Sequence, residues 1–453
     1  MAVWSKVNLR ECRTNIRIDA EYYQPFFLKR IRQWREEGVS PLGNNYAQIM
    51  KRQFLPECGK SFDYIEIGCV STILGTYDVI HLDDTEAPSR AQYVVKPGDV
   101  ILSEVRPNRS AVSLIPEGIG RTVCSSGFGV LKAERVSPEY LFAFLKTSII
   151  TKLLDRETTA TMYPAVADRD VLALPFPQPS KDIEKKVTSA VQKVFSKLSE
   201  SKELYTKAER LLLEDLELND LDLSPKLYYM HSASESQKAN RLDAEYFQPK
   251  YYRLLEKLKK AAQNLEGDTI GKLSEPLRYG TSDKLTYVSE GIPFLRIADL
   301  ENRRFEMSSV LHIPIEEAIR QKSARVKTGD VLVSRSGTLG LGVATPEELH
   351  DAVFGSYFIR LRPNKEKVNP EYLALFINAL CGVMQVDRVN TGCIQTNLTI
   401  PAIESIFVVF GDRKWQNRYV DVLTQSVTAR KESRQLLEEA IHLVEDGVLK
   451  GAN

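Results

Sequence analysis

Cysteine and histidine are too sparse and too scattered in this chain to spell out a metal or redox centre. The six cysteines, Cys12, Cys58, Cys69, Cys124, Cys381 and Cys393, lie far apart. No two fall in the C-x-x-C spacing that zinc or dithiol chemistry favours, so they read as buried, reduced thiols. His81, His231, His312, His350 and His442 make no ligand spacing either. Long apolar runs are also missing. Nothing approaches the roughly 20 residues of a membrane span, and residues 1–6 lack the core of a signal peptide, which leads us to expect a soluble cytoplasmic protein. Charge of one sign is absent as well: 61 Lys and Arg against 60 Asp and Glu leave a formal +1. Any nucleic-acid surface must then be a local patch rather than a global field.

Intact catalytic motifs are equally wanting. Gly59-Lys60-Ser61 has the ending of a phosphate-binding loop, but Phe54 stands where its first glycine belongs. The stretch from Gly337 through Gly340 to Gly342 lacks G-x-G-x-x-G spacing and reads as a close-approach loop. With 453 residues, 43% of them hydrophobic, the chain exceeds one ordinary core, and two or more domains are the default.

What the sequence does contain is itself, twice. Arg17-Ile18-Asp19-Ala20-Glu21-Tyr22-Tyr23-Gln24-Pro25 returns 224 residues later as Arg241-Leu242-Asp243-Ala244-Glu245-Tyr246-Phe247-Gln248-Pro249, with seven of nine positions identical. Gly98-Asp99-Val100-Ile101-Leu102-Ser103 returns as Gly329-Asp330-Val331-Leu332-Val333-Ser334 at offset 231, and Pro138-Glu139-Tyr140-Leu141 as Pro370-Glu371-Tyr372-Leu373 at 232. Offsets this steady over more than a hundred residues describe one duplicated unit with a small early insertion in the second copy.

Each copy has the same order. A short helix opens on Pro25 or Pro249, with Leu28, Ile31 and Trp34, or Tyr252, Leu255 and Leu258, as its apolar face. Next comes a mixed region rich in turns and β-branched runs, in which Gly98-Asp99 and Gly329-Asp330 deliver strands. Helices follow Pro138 and Pro370; the Asn369-Pro370-Glu371-Tyr372 start is better explained by helix initiation than as the N-P-P-Y of adenine methyltransferases. A long polar helix closes each copy, over 182–217 and 412–446. Narrow stripes (Ile183, Val187, Ala190, Val194, Leu198, Tyr205, Ala208, Leu212; Val420, Leu423, Val427, Leu437, Ile441, Val444) point to a coiled-coil seam in which each helix is the other's partner.

This ordered duplication resembles the specificity subunit of type I restriction-modification systems over essentially the whole chain. It rests on the doubled D-A-E-Y-x-Q-P segment, the doubled G-D-[VI]-[LI]-x-S strand and a long helix closing each half. Individual motifs diverge: copy one keeps Leu174-Pro175-Phe176-Pro177 where copy two has Ile406-Phe407-Val408-Val409. The resemblance implies an α+β protein with two target-recognition domains of mixed α/β structure, separated by two long antiparallel helices. The corresponding boundaries are an N-terminal segment 1–41, recognition domain 42–180, long helix 181–224, second linker segment 225–264, recognition domain 265–411 and long helix 412–453. It further implies a non-catalytic subunit that reads a bipartite site on double-stranded DNA. Such a subunit recruits two modification (methyltransferase) subunits and the restriction (translocase/endonuclease) subunits. S-adenosylmethionine belongs to the former, ATP and magnesium to the latter, and no cofactor to this chain.

Groove-reading needs Arg, Lys, Asn, Gln, Ser or Thr on loops. The first candidates follow the duplicated strand: Ser103, Arg106, Asn108 and Arg109 in copy one, and Ser334, Arg335, Ser336 and Thr338 in copy two. The second pair of loops offers Thr161 and Tyr163, and Gln395, Thr396 and Asn397. Lys51, Arg52 and Arg278 are weaker entries. A related DNA-binding scaffold of another defence assembly, and a protein-only adaptor, are the alternative readings.

Overall fold

The computed structural model describes residues 5–15, 17–158, 163–390 and 397–449. The chain divides into two units, Met1–Ser199 with Ala429–Asn453, and Glu200–Thr428.

In the first unit, one antiparallel sheet runs in the order Ala47–Ile49, Phe128–Ala133, Asp99–Ser103, Val112–Leu114. A second sheet is centred on Ser61–Ile65, which pairs antiparallel with Ile80–Asp83 and parallel with Thr122–Ser125; Ala91–Val94 adds the far edge. Helix Pro138–Leu145 lies buried along its last six residues. The Ser137 hydroxyl caps it by accepting from Tyr140 N at 3.1 Å, and its proline occupies the first turn, where no amide is needed.

The second unit repeats this plan. Its main sheet runs Ser274–Tyr279, Phe358–Pro363, Val331–Ser334, Gly342–Ala344, the same order with the same antiparallel senses. In its second sheet Ile292–Leu295 pairs antiparallel with Leu311–Ile313 and parallel with Val353–Phe354. Asn369 caps Pro370–Asn378 as Ser137 caps its counterpart. Gly98 and Gly329, both at φ 81°, turn the chain into the equivalent strands, a conformation open to glycine at no steric cost. One difference follows directly from proline. Phe407–Phe410 forms a full ladder with Glu266–Thr269, whereas in the first unit Pro175 and Pro177 lack amides and the pairing shrinks to the Pro41–Pro175 bridge.

The two long helices are Lys181–Asp215 and Arg413–Val444. In the first unit Val187, Val191 and Val194 share a core with Leu437, Ala440 and Val444, each buried Val or Leu contributing about 1.5–3 kcal/mol. In the second, Ala208 and Leu212 share one with Tyr419 and Leu423. There the helices run antiparallel: Ser201 and Ser426 each donate to the other's carbonyl, at 2.8 and 2.7 Å, while Tyr419 donates to Asp215. Some positions of the expected seam are corrected. Val191, Tyr419 and Ala440 carry the buried stripe, while Val427 is 40% exposed. The short helices Pro25–Glu36 and Pro249–Ala261 also bury a face shifted by one residue, through Phe27 and Trp34 and through Tyr251, Leu254 and Leu258. Among the described residues no single helix is long and apolar enough to cross a membrane.

Candidate nucleic-acid interface

In the first unit the strand Asp99–Ser103 ends in a loop that the backbone ties down on both sides. Glu104 N donates to Gly127 O at 2.9 Å, Arg106 N to Pro164 O at 2.7 Å, and Val166 N to Glu104 O at 3.0 Å. A bridge joins Val105 to Ala165. The structure thus brings the two candidate loops of this copy together: the Arg106 guanidinium lies 5.3 Å from the ring centre of Tyr163, itself 64% exposed. Asn108 and Arg109 project from the turn Pro107–Arg109 and are exposed. Arg106 and Ser110 flank that turn at φ 51° and 54°, left-handed conformations that non-glycine residues seldom adopt.

The second unit builds the same frame. Arg335 N donates to Tyr357 O at 2.8 Å and Leu398 N to Arg335 O at 3.0 Å, and the Ser336 hydroxyl reaches Asn397 Oδ1 at 2.5 Å. Again the two candidate loops meet. The left-handed positions recur at Gly337 and Gly340, φ 75° and 73°. The residue equivalent to Arg335 is Glu104, and the equivalent of Arg106 is Gly337; the loop of copy two is one residue shorter. Arg335 instead stacks 4.6 Å from the ring centre of Tyr279, and its Nε is buried without a hydrogen-bond partner. Thr338 is exposed at the loop tip, and Arg278 is exposed on the strand that also carries Tyr279. Tyr357, 60% exposed beside Arg335, is an aromatic the sequence reading missed. Its equivalent is Gly127, where a Cβ would meet Ile67 Cδ1 at 2.6 Å, so only a comparison of the two copies position by position could have flagged it.

Three candidates turn out to be structural. Ser103 and Ser334 are buried, and their hydroxyls staple their own loops, donating to Val105 O at 2.8 Å and to Thr338 O respectively. Arg52 grips the buried Asp99 carboxylate at 2.5 and 3.1 Å. In the second unit the same staple is supplied from elsewhere: Arg362 holds buried Asp330 at 2.7 and 2.8 Å. Lys51 pairs with Asp168 at 2.7 Å, with 40% of its side chain exposed. Under that pair sits Glu104. Burial, and next the adjoining Asp168 carboxylate, push Glu104 up to about 8, while Glu104 and Lys51 hold Asp168 low despite its own burial. Thr161, Gln395 and Thr396 lie outside the described residues.

Each unit therefore offers a fixed frame of two joined loops, with Arg106, Asn108, Arg109 and Tyr163 on one, and Arg335, Ser336, Thr338 and Asn397 with Tyr279 and Tyr357 on the other. Cations over aromatic rings on turns suit phosphate contact and stacking.

No family model matches the chain. It is 19% identical over 399 residues, 78% of this chain and 86% of the relative, to the type I restriction enzyme HindI specificity subunit of Haemophilus influenzae. Among solved structures, the HsdS subunit of Thermoanaerobacter tengcongensis aligns at 18% identity over 90% of this chain and 95% of that one, with a TM-score of 0.32. The type I S subunit of M. genitalium aligns at 12% over 91% and 94%, with a TM-score of 0.38. With its elements written twice in the same order and an alignment through most of both sequences, the chain is similar to the specificity subunit of a type I restriction enzyme.

Proposed function

We propose that the chain is the DNA-reading, non-catalytic subunit of such a system. In this reading each unit recognises one half of a bipartite site on double-stranded DNA, while two modification subunits and the restriction subunits supply the chemistry, with S-adenosylmethionine, ATP and magnesium bound by those partners. The observation that carries the proposal is the pair of equivalent loop frames with unlike contents. The left-handed positions, the backbone ties and the Asp staple recur, yet copy two has Arg335 in the place of Glu104, Gly337 in that of Arg106 and Tyr357 in that of Gly127. A duplicated scaffold with interchangeable tips suits a protein that reads two different half-sites, because base edges are discriminated by side chains and not by backbone. The test is to exchange residues 42–177 for the matching domain of another relative and sequence the resulting methylome. One half-site should change and the other persist; a change in both, or in neither, overturns the assignment.

A further inference from the structure

The repeated D-A-E-Y segment takes no part in the loop frames, yet it is the longest of the closely repeated stretches quoted above. In the first unit Arg17 Nε donates to Asp19 at 2.7 Å, and a terminal nitrogen of Arg17 reaches Thr158 O at 3.3 Å. Arg156 Nε donates to Tyr22 O at 2.7 Å, and the guanidiniums of Arg17 and Arg156 lie 4.8 and 3.5 Å from the Tyr22 ring centre. In the second unit Arg241 donates to Asp243 at 2.7 and 2.6 Å and to Asn390 O at 3.4 Å. Arg388 Nε donates to Tyr246 O at 3.3 Å, and both guanidiniums sit 4.5 Å from the Tyr246 ring centre. These bonds and ring contacts recur in both clasps, while the Tyr23 hydroxyl's bond to Arg17 O at 3.0 Å has no counterpart at Phe247.

What each clasp displays is an aliphatic side chain held out into solvent, Ile18 at 91% exposure and Leu242 at 93%. The Ala and Glu that follow, Ala20-Glu21 and Ala244-Glu245, are exposed and identical. A lone exposed aliphatic is ordinary. The same one in the same rigid setting twice, beside an alanine and a glutamate that the clasp does not use, is not explained by packing. The acid beside the apolar knob disfavours DNA phosphate and suits a protein with an apolar socket rimmed by Lys or Arg. Two equal knobs on one chain fit two copies of one partner.

We propose that Ile18 with Glu21, and Leu242 with Glu245, are the two equivalent docking points for a protein subunit bound twice per chain. Resting on the function proposed above, that protein is the modification subunit. Each clasp also holds the carbonyl of Thr158 or Asn390, which in sequence directly precedes the second candidate DNA loop of its unit.

The test is native mass spectrometry of the full chain co-expressed with an adenine methyltransferase subunit of a type I system. Wild type should carry two subunits. Ile18→Glu or Leu242→Glu should each leave one, with the altered site weakened at least about tenfold, and the double variant none. Glu21→Arg and Glu245→Arg should act in the same direction, and Ile18→Leu should restore the wild-type count. Because these side chains are exposed, thermal unfolding should stay unchanged, which separates lost docking from lost folding. Two subunits retained on the double Glu variant overturn the docking points and leave the proposed function standing. A wild-type chain that captures no methyltransferase subunit overturns both.

Discussion

Arg106 is where backbone and side chain are in conflict, and the conflict can be measured. Its φ of 51° and ψ of 57° place an arginine in the left-handed region, which disfavours an L-residue by about 1–2 kcal/mol. The equivalent position in the second unit is Gly337, where no such strain exists. Replacing Arg106 with glycine relieves the strain, against roughly 0.4–1 kcal/mol for the freer unfolded chain and about 0.5 kcal/mol for the exposed contact with Tyr163. The stability of Arg106→Gly should therefore fall close to wild type. Arg106→Ala loses the same ring contact and keeps the strain, so it should be less stable than Arg106→Gly by about 1 kcal/mol, or roughly 2–4 °C in Tm for a domain of this size.

On DNA the two variants should be indistinguishable, because both lack the guanidinium. Each should lose about 1–3 kcal/mol if Arg106 holds a base edge, with relaxed preference at one position. If it holds a phosphate, each should weaken all sequences alike, with a salt slope shallower by about one. Urea unfolding gives the first quantity, and fluorescence anisotropy on cognate and scrambled duplexes at three salt concentrations gives the second. A glycine variant less stable than the alanine variant would falsify the strain argument. Unchanged anisotropy for both would return Arg106 to the status of a solvated turn residue.

The duplication was legible because its strongest signals are backbone signals. Proline at a helix start and glycine before a strand-opening aspartate leave few alternatives, and Pro138, Pro370, Gly98 and Gly329 all do what their residue types require. Side-chain partnerships were not legible in this way. Arg52 and Arg362 are unremarkable cations in the sequence, and only the fold reveals that both neutralise the aspartate of the G-D motif. The loop lengths were not legible either: the duplicated strand sets Arg335 where copy one has Glu104, but only the left-handed positions show that the loop of copy two is one residue shorter. The short-helix faces slipped by one because Phe27 and Tyr251 neighbour Leu28 and Tyr252, so periodicity fits either choice.

Two further predictions concern the ground beneath the loops. Glu104 keeps its proton in the folded protein up to about pH 8, whereas the unfolded chain releases it near the ordinary carboxylate value. Stability from this group is thus fully present below about pH 4 and declines as pH rises towards 8; urea midpoints of Glu104→Gln should lack that decline, and a slope equal to wild type would refute the assignment. The second concerns the Asp99 staple. Removing Arg52 as Arg52→Leu leaves a buried carboxylate that retains only the Lys96 amide, at 2.7 Å, and should destabilise by roughly 2–3 kcal/mol. In the second unit the staple comes from Arg362, which continues the register of the Val331–Leu361 pair by one residue towards Asp330. The residue opposite Asp99 is Lys132, exposed in the first unit. An arginine placed there has the register that Arg362 has, so Lys132→Arg should restore much of the stability lost in Arg52→Leu while contributing little in the wild-type background, where Asp99 is already held. The coupling between the two substitutions, read from urea unfolding of the single and double variants, is the decisive quantity. If the double variant is no more stable than Arg52→Leu, the two staples are not equivalent, and the claim that both units share one frame with interchangeable parts fails at its most buried point.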